Sequence, residues 1–510
     1  MRRKTIYPIE WVKCHPYMTP NQVDNYYADL ADKVFNVIYD SVISGSFDDD
    51  KETIKGVAIH LTMWFEDLAS ETGVWKAATS EFKKRYGSLL PFYELGDDYE
   101  VGFVNIEDVR FLLWNELQCF QEYDLFINPE NPGIEEVAND ILPLFDAAWE
   151  DAPVNGRLYS FIHNPEALDS YWKAREIIEW FAYQAFVNTN TEFDTLTSLE
   201  ESYNEDEDAK MMDMRYYFAY IVNAFCHKRN MLSITAPQWL ARIRSEEERE
   251  VWESVKWKHI SFFRFYDENE TQVFLTDLVY DEEFAVEKDS FNEEFVRKTL
   301  KINDILYCSL VSFRGGWYQC GQLVCLKMDN KLQGLIDEKR HSLENLNYQS
   351  TLYPKFMELT GGKKIVFLGS LEELRDFYKR IGFKEVDERI NYEVEENCVL
   401  MCSPINGLVM FFNEAACICS EDNPFYDKAY AKESAHQFYF CEDLIDYREA
   451  CDLHDGNYLP DAQISSLKGD EYGNWFLHKH GQYIIDYFFS KTREYDYDAK
   501  FDLSQIVPKE

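Results

Sequence analysis

The spacing of apolar residues changes near residue 257, and this change constrains the fold more than any other feature of the sequence. Before it, apolar residues recur every three or four positions, as on one face of an α-helix. After it come short runs rich in aromatic and β-branched residues, which are typical of strands. The sequence therefore predicts an α+β protein, with an all-helical N-terminal half followed by a mixed α+β C-terminal half that holds a small twisted antiparallel sheet.

Helix start signals support helices throughout the first half. Thr19-Pro20-Asn21-Gln22 has the form of a capping box with proline at the first helical position, and it predicts a helix that ends near Ser44-Gly45. Asn131-Pro132-Gly133 and Asn164-Pro165-Glu166 repeat this signal ahead of apolar positions in 134–149 and 168–186. The pattern predicts further helices at about 52–70, 105–124, 207–229 and 236–256, and a mobile acidic connector from Glu201 to Asp208.

The second half is predicted to alternate strands and helices. Strands at 259–266 and 271–280 precede a hairpin that turns at Arg314-Gly315-Gly316 and returns to Leu326, which suggests a small sheet or partial barrel. Further elements are a helix at about 331–345, a strand at 364–368, a helix at 374–381 opened by a capping box at Ser370 to Glu373, strands at about 393–402 and 407–412, and helices to the end.

We expect three domains from this pattern. They are a helical domain with an extended N-terminal arm at 1–256, a small β-rich domain or partial barrel at 257–345, and an α+β domain at 346–510.

The surface of the protein is predicted to be strongly acidic. The 510 residues include 93 acidic and 51 basic side chains, which gives a net charge of −42, and both halves carry the excess. With 46% apolar residues the chain can still build a large core. Such a surface repels phosphate, so direct binding of nucleic acid or of anionic membranes is disfavoured.

The sequence predicts a soluble cytoplasmic protein. The basic residues that follow Met1 precede no apolar segment of the kind a signal peptide contains, and no stretch reaches the ~18 apolar residues of a membrane span. The twelve cysteines are expected to be reduced thiols used as small core residues.

Cysteine and histidine residues in the last quarter are weak candidates for a metal site. The paired Cys-x-x-Cys spacing of structural zinc sites is absent, and buried thiols explain the same residues. Two of the histidines, on either side of Lys479, would share one face if this segment were a strand. We predict no metal, and the candidates are Cys417, Cys419, Cys441, Cys451, His454, His478 and His480.

The segment Phe377-Tyr378-Lys379-Arg380-Ile381-Gly382-Phe383 resembles the closing motif of the acetyl-coenzyme A dependent N-acetyltransferases. That resemblance implies Tyr378 as general acid. It also implies an upstream Gly-x-Gly/Ala turn that binds the pyrophosphate, and residues 348–369 do not supply one. The alternative explanation is an amphipathic helix that ends at Gly382 as its left-handed cap.

Residues Glu94 to Asp151 are the most acidic part of the chain. They include sixteen acidic residues and a single basic residue, Arg110. Such a segment can imitate a phosphate backbone or bind cations, and it can equally be the solvated outer faces of helices.

The start of the chain, Ile6-Tyr7-Pro8 through Trp11 to His15-Pro16-Tyr17 and Asp24, resembles an uncharacterised family of gut-bacterial proteins, the DUF3843 family. Ile305 to Gly321 and Asn423-Pro424-Phe425-Tyr426-Asp427 resemble the same family, so the similarity covers most of the chain. It implies no catalytic residue.

Residues of the DUF3843-like segments also carry structural predictions of their own. Prolines 8, 16 and 20 predict an extended arm whose rings, Tyr7, Trp11 and Tyr17, pack on the helical domain. Asn423-Pro424 predicts a turn into a helix at 425–440.

Three hypotheses of function follow from these observations. The favoured one is a non-enzymatic module that binds a protein or peptide through aromatic clefts or sheet edges. The first alternative is a coenzyme A dependent acyltransferase that uses Tyr378, and the second is an acidic decoy of a nucleic-acid-binding protein. No cofactor is predicted.

Overall fold

The structure, a computed structural model, describes residues 4–120, 126–201, 209–383, 397–403, 407–431, 445–458 and 470–490. The chain divides into two compact units. The described residues of the first unit lie in 4–120 and 129–333, and those of the second lie in 126–128 and 334–490. The division of the first unit into a helical and a β-rich domain stays a prediction.

Helices form the first half of the chain, as predicted. They are α1 Pro8–Trp11, α2 Gln22–Tyr39, α3 Lys51–Ser70, α4 Val74–Tyr86, α5 Ile106–Phe120, α6 Pro132–Trp149, α7 Gly156–Ile162, α8 Tyr171–Gln184, α9 Thr191–Glu201, α10 Ala209–Cys226, α11 Ala236–Ile243 and α12 Glu246–Glu253. Of the predicted mobile connector, Glu201 ends α9 and the remainder lies outside the described residues.

Two of the three predicted helix starts are displaced. Asn131 caps α6 with Pro132 at the first helical position, as predicted. The capping box of α2 uses Asn21 and Asp24 and not Thr19, because the Asn21 side chain accepts the Asp24 N–H while the Asp24 carboxylate accepts the Asn21 N–H. Asn164 caps only a short 3₁₀ turn, and α8 starts after a second cap at Ser170.

The single helix predicted at 236–256 is two helices, because the chain is extended at Arg244. The Arg244 side chain is buried: its guanidinium donates to the carbonyl of Ile162 and lies 5.4 Å from the centre of the Trp252 ring. These contacts stabilise the extended backbone between α11 and α12. No helix was predicted for α4 or α9.

Tryptophan rings occupy the centre of the helical core. The Trp64 ring of α3 meets the Trp75 ring of α4 edge-on, with centroids 6.3 Å apart, and meets Phe145 of α6 at 5.7 Å. Buried aromatic side chains supply the largest apolar area per residue, so these contacts join three helices. Six tryptophans are fully buried: Trp11, Trp64, Trp75, Trp114, Trp239 and Trp252.

Five strands close into a barrel after α12. They pair in the order β1-β2-β3-β5-β4, and β4 pairs with β1. Neighbouring strands are antiparallel except β3 and β5, which are parallel where Val286 faces Trp317. This strand order, with a short helix between β3 and β4, is that of an OB-type barrel. The bounds are β1 Lys256–Glu268, β2 Gln272–Asp277, β3 Glu283–Glu287, α13 Glu293–Lys298, β4 Ile305–Phe313 and β5 Gly316–Leu326.

The inner face of α10 packs on the outside of this barrel. Phe218 contacts the ring of Tyr307 on β4 at 5.7 Å, and Ile221 lies against Gly321 of β5. Gly321 has a φ of +79°, and a Cβ placed on it would lie 3.1 Å from the Ile221 side chain. The close approach of helix and strand therefore requires glycine here.

We expect Gly321→Ala to lower the free energy of unfolding by about 2–3 kcal/mol, because left-handed strain and a clash with Ile221 add together. Gly315 is the matched control: its φ is +80°, and a Cβ there would meet no atom within 4 Å. Gly315→Ala should show the strain alone, about 1–2 kcal/mol. Urea denaturation measures both variants, and equal losses would contradict the proposed clash.

The second unit is α+β, as predicted. Its sheet has the order β6-β7-β8, with both pairs antiparallel, and buried residues of β7 contact helices. A helical turn at 428–431 follows the turn at Asn423, three residues later than the predicted helix start. The bounds are α14 Asn330–Ser350, α15 Leu352–Thr360, β6 Ile365–Leu368, α16 Leu371–Ile381, β7 Cys398–Ser403, β8 Gly407–Phe412, α17 Tyr447–Asp455 and α18 Asp470–Phe488. Within the described part of the chain, no helix is both long and apolar enough to cross a bilayer.

Candidate protein-binding surface

One face of α8 presents an aromatic ring, a guanidinium and a second ring in succession. Trp172, Arg175, Glu179 and Tyr183 follow one another at intervals of three or four residues, so they share this face. The Arg175 guanidinium carbon lies 5.7 Å from the centre of the Trp172 ring, and its Nε donates to the Glu179 carboxylate. Trp172 is 41% exposed, although it is one of the largest apolar side chains in the helix.

The outer face of α10 continues this surface with three tyrosines. The rings of Tyr183 and Tyr220 are stacked 4.3 Å apart, and the Tyr183 hydroxyl donates to the carbonyl of Tyr220. Tyr216 and Tyr217 lie 6.2 and 6.3 Å from Tyr220, and each is 39% exposed. The tyrosine surface consists of Trp172, Arg175, Tyr183, Tyr216, Tyr217 and Tyr220.

The polar groups of the tyrosine surface are held in fixed positions. Arg175 Nη2 lies 3.5 Å from the Tyr217 hydroxyl, so one guanidinium contacts side chains of both helices. Burial raises the pKa of Tyr220 to about 12, and burial also raises the pKa of Tyr183. Both phenols therefore stay protonated at a pH at which an exposed tyrosine ionises.

This composition suits protein recognition. Tryptophan, tyrosine and arginine are the residues most enriched at the energetic centres of protein interfaces. Tyrosine and tryptophan offer a large contact area while fixing only two side-chain torsions. The intervals along α8 are visible in the sequence, but the sequence does not show which of these side chains stay exposed, and nothing local indicates that α10 lies beside them.

Tyr378 lies on α16, where the acetyltransferase-like motif predicted it. The side chain is half-buried against Phe383, with ring centres 5.0 Å apart, and burial raises its pKa to about 12. Gly382 ends the helix with a φ of +115°, which confirms the left-handed cap. At the start of α16, the Gly369 N–H donates to the Glu373 carboxylate and the Glu373 N–H donates to Ser370. These two amides are therefore already bound and do not form a pyrophosphate site.

His478 and His480 both lie on α18, so they do not share one face of a strand. Two positions apart on a helix is about 200°, so the two imidazoles point to opposite sides. The ring of His454 packs against Gly481 of the same helix.

The described cysteine candidates are not grouped with these histidines as metal ligands. Cys417 is fully buried, and burial raises its pKa to about 12, which opposes the thiolate that zinc requires. Burial also raises the pKa of Cys451. Cys419 lies beside Tyr458, whose carbonyl accepts its N–H, and Cys441 lies outside the described residues. Among the residues described, no three His, Cys, Asp or Glu side chains are grouped as metal ligands.

The acidic stretch from Glu94 to Asp151 is not uniformly exposed. The Asp108 carboxyl is fully buried and accepts from the Tyr99 hydroxyl at 2.9 Å and the Asn105 side chain at 3.0 Å. Glu116 is also buried and pairs with His60. These two of the sixteen acidic groups are therefore part of the interior.

A buried polar network holds the N-terminal arm. His15 Nε2 lies 2.8 Å from a Glu66 oxygen of α3, and both side chains are fully buried. Asn155 Nδ2 bridges the other Glu66 oxygen and the Tyr17 hydroxyl, which donates to Asp24. Several residues that carry the family resemblance thus have structural contacts.

The arm itself differs from the prediction in two respects. Residues 8–11 form α1 and residues 12–14 a 3₁₀ turn, so the arm is only partly extended. Trp11 is buried as expected, but the Tyr7 ring is exposed. Pro8 explains the first difference, because proline is favoured at the first position of a helix.

Comparison with known proteins gives one match. The model of the family described as "Protein of unknown function (DUF3843)" matches residues 5–312 and 323–490, which include the helical core, most of the barrel and the second unit. No curated protein and no solved structure matches the chain. The match covers nearly the whole chain and confirms the resemblance of its opening residues. The chain therefore belongs to the DUF3843 family.

Proposed function

We propose that this protein is a non-enzymatic module that binds a partner protein through the tyrosine surface. The observation that carries the proposal is the exposure of Trp172, Tyr216 and Tyr217, each about 40%, around a guanidinium that contacts both helices. Side chains exposed to this extent are not needed to fill the core of the protein. Their exposure is typical of residues that become buried on association.

The partner is a neutral or basic protein. With a net charge of −42, two copies of this chain repel each other at long range, which disfavours self-association. Glu179 also lies beside the tyrosine surface, on the same face of α8, where it pairs with Arg175. A basic or neutral partner segment meets no such repulsion.

The two alternative functions lack a supporting observation of this kind. The acyltransferase hypothesis needs a pyrophosphate site near Tyr378, and the amides of Gly369 and Glu373 are bound to side chains. The decoy hypothesis draws on the acidity of residues 94–151, and two of their sixteen acidic side chains, Asp108 and Glu116, are buried. The cytoplasmic location, and the absence of direct nucleic acid binding, stay predictions.

Quantitative affinity capture from the native host tests the proposal. We expect the wild-type chain to retain a protein that the Trp172→Ser and Tyr217→Ser variants fail to retain. With that protein purified, truncation of either ring should weaken binding about 30-fold, because loss of a central interface ring removes about 2 kcal/mol.

Tyr430→Ser is the matched control, since Tyr430 is an equally exposed tyrosine in the second unit. It should bind like the wild type. Equal retention of the partner by all four chains would refute the tyrosine surface as the binding site, and so would a capture that yields no protein above background.

A further inference from the structure

A cavity of about 430 Å³ lies at the C-terminal end of α6. None of the residues that line it belongs to the tyrosine surface. Two aromatic rings, Phe103 and Trp149, line it together with the carboxylates of Asp146, Glu150 and Asp151. The remaining lining residues are small and apolar. We call it the Trp149 cavity.

The aromatic wall of the Trp149 cavity packs on the protein core on one side and is exposed to solvent on the other. The rings of Phe103 and Trp149 are 5.7 Å apart, and the Trp149 ring rests edge-on against Phe65 of the core at 5.9 Å. Phe103 is 46% exposed. The cavity therefore offers ring surface that the fold itself does not cover.

The charge around the cavity is of one sign. All three carboxylates are exposed, and no lining residue is basic. Arg110, the sole basic residue between Glu94 and Asp151, lies over the Tyr93 ring at 4.6 Å and is half-buried there. Aromatic faces beside carboxylates attract an ammonium or a guanidinium, through both ring quadrupole and charge.

A second cavity, of about 470 Å³, lies between the C-terminal end of α2 and the N-terminal half of α6. It is lined by Asp40, Glu136 and Asp140 among neutral residues, again without a basic side chain. Helical rise places the two cavities about 15 Å apart along α6. An extended chain covers that distance in about five residues.

We propose that the exposed face of α6 binds a basic segment of a partner protein, with a lysine or arginine side chain in the Trp149 cavity and a second one, about five residues away, in the cavity beside Asp140. The apolar stem of such a side chain packs on Phe103 while its cationic head meets the carboxylates. The site is independent of the tyrosine surface, and either can fail without the other.

Synthetic peptides test this site directly on the full-length chain. The probe is Gly-Gly-Arg-Gly-Gly-Gly-Gly-Arg-Gly-Gly with a fluorescent label, and its partner probe has glutamine in place of both arginines. Fluorescence anisotropy should show saturable binding of the arginine peptide and about tenfold weaker binding of the glutamine peptide, as expected for a charge-dependent contact.

Variants separate this cavity from the general acidity of the chain. Phe103→Ser, and the triple variant Asp146→Asn, Glu150→Gln, Asp151→Asn, should each weaken binding of the arginine peptide about tenfold. The control triple variant Glu52→Gln, Glu176→Gln, Glu344→Gln removes the same charge from exposed sites elsewhere and should bind like the wild type. Equal weakening by both triple variants would overturn the proposal, as would unchanged binding by Phe103→Ser.

Discussion

The free energy of unfolding should fall by about 3 kcal/mol between pH 4 and pH 7 because of a single carboxyl group, that of Asp108. Burial raises its pKa from the usual value to about 7, against the opposing hydrogen bonds from Asn105 and Tyr99. In this pH range the folded protein holds a proton that the unfolded chain has released. Stability contributed by the protonated group is thus complete below pH 4 and is lost as the pH rises to 7.

Asp108→Asn removes the titration and keeps the shape of the side chain. The variant should lose this part of the pH dependence, so that its stability changes by about 3 kcal/mol less than that of the wild type over the same range. Urea denaturation at pH 4.5, 5.5, 6.5 and 7.5 measures the difference. Asp97→Asn, which removes an exposed carboxylate of the same stretch, should follow the wild-type curve. Parallel curves for wild type and Asp108→Asn would show that the buried group is not protonated at low pH.

Glu66→Ala should lower the free energy of unfolding by about 3–5 kcal/mol, because it leaves a buried imidazole without its charged partner. His15 and Glu66 are both fully buried, and Asn155 would lose an acceptor as well. Glu52→Ala on the same helix is the control: Glu52 is exposed and pairs with Lys55, so its loss should change stability by at most about 0.5 kcal/mol.

The His15–Glu66 pair also makes the free energy of unfolding depend on pH. Burial alone would lower the pKa of His15, but the Glu66 carboxylate, the Trp11 carbonyl and the Asp24 carboxylate together outweigh burial, and the pKa is raised. The pair therefore stabilises fully below the usual histidine pKa of about 6.5, and its contribution is lost as the pH rises through the folded pKa. Wild-type stability should fall between pH 6 and pH 8 more than that of Glu66→Ala. A steeper fall in the variant would contradict the buried ion pair.

Local signals in the sequence predicted those elements that depend on neighbouring residues. Asn131-Pro132 begins a helix, Gly382 ends one, and the turn at Arg314 and Gly315 joins two strands, because each is set by backbone preferences over a few residues. The strand β3 was missed: Glu283–Glu287 has only five residues, two of them glutamates. Barrel closure depends on the parallel pairing of Val286 with Trp317, which no local pattern indicates.

Prediction of the candidate sites was limited in the same way, because the sites depend on contacts between residues that are distant in the sequence. The intervals of Trp172, Arg175 and Tyr183 on α8 are visible in the sequence, but their exposure depends on which face the barrel covers through α10. Asp108 and Glu66 could not be singled out among 93 acidic residues, because burial is a property of the tertiary structure. The acidic composition thus obscured the few carboxyl groups that matter most to stability.

Helix α10 has one face packed on the barrel and an opposite face that forms part of the tyrosine surface. A partner bound to the tyrosine surface must therefore also affect the stability of the packing on the barrel. Its inner side chains, Phe218 and Ile221, rest on the barrel, while Tyr216, Tyr217 and Tyr220 face outward. Any ligand that binds only the folded arrangement stabilises it by mass action. Occupancy of the tyrosine surface should therefore slow amide hydrogen exchange in β4 and β5, the strands against which the inner face of α10 packs.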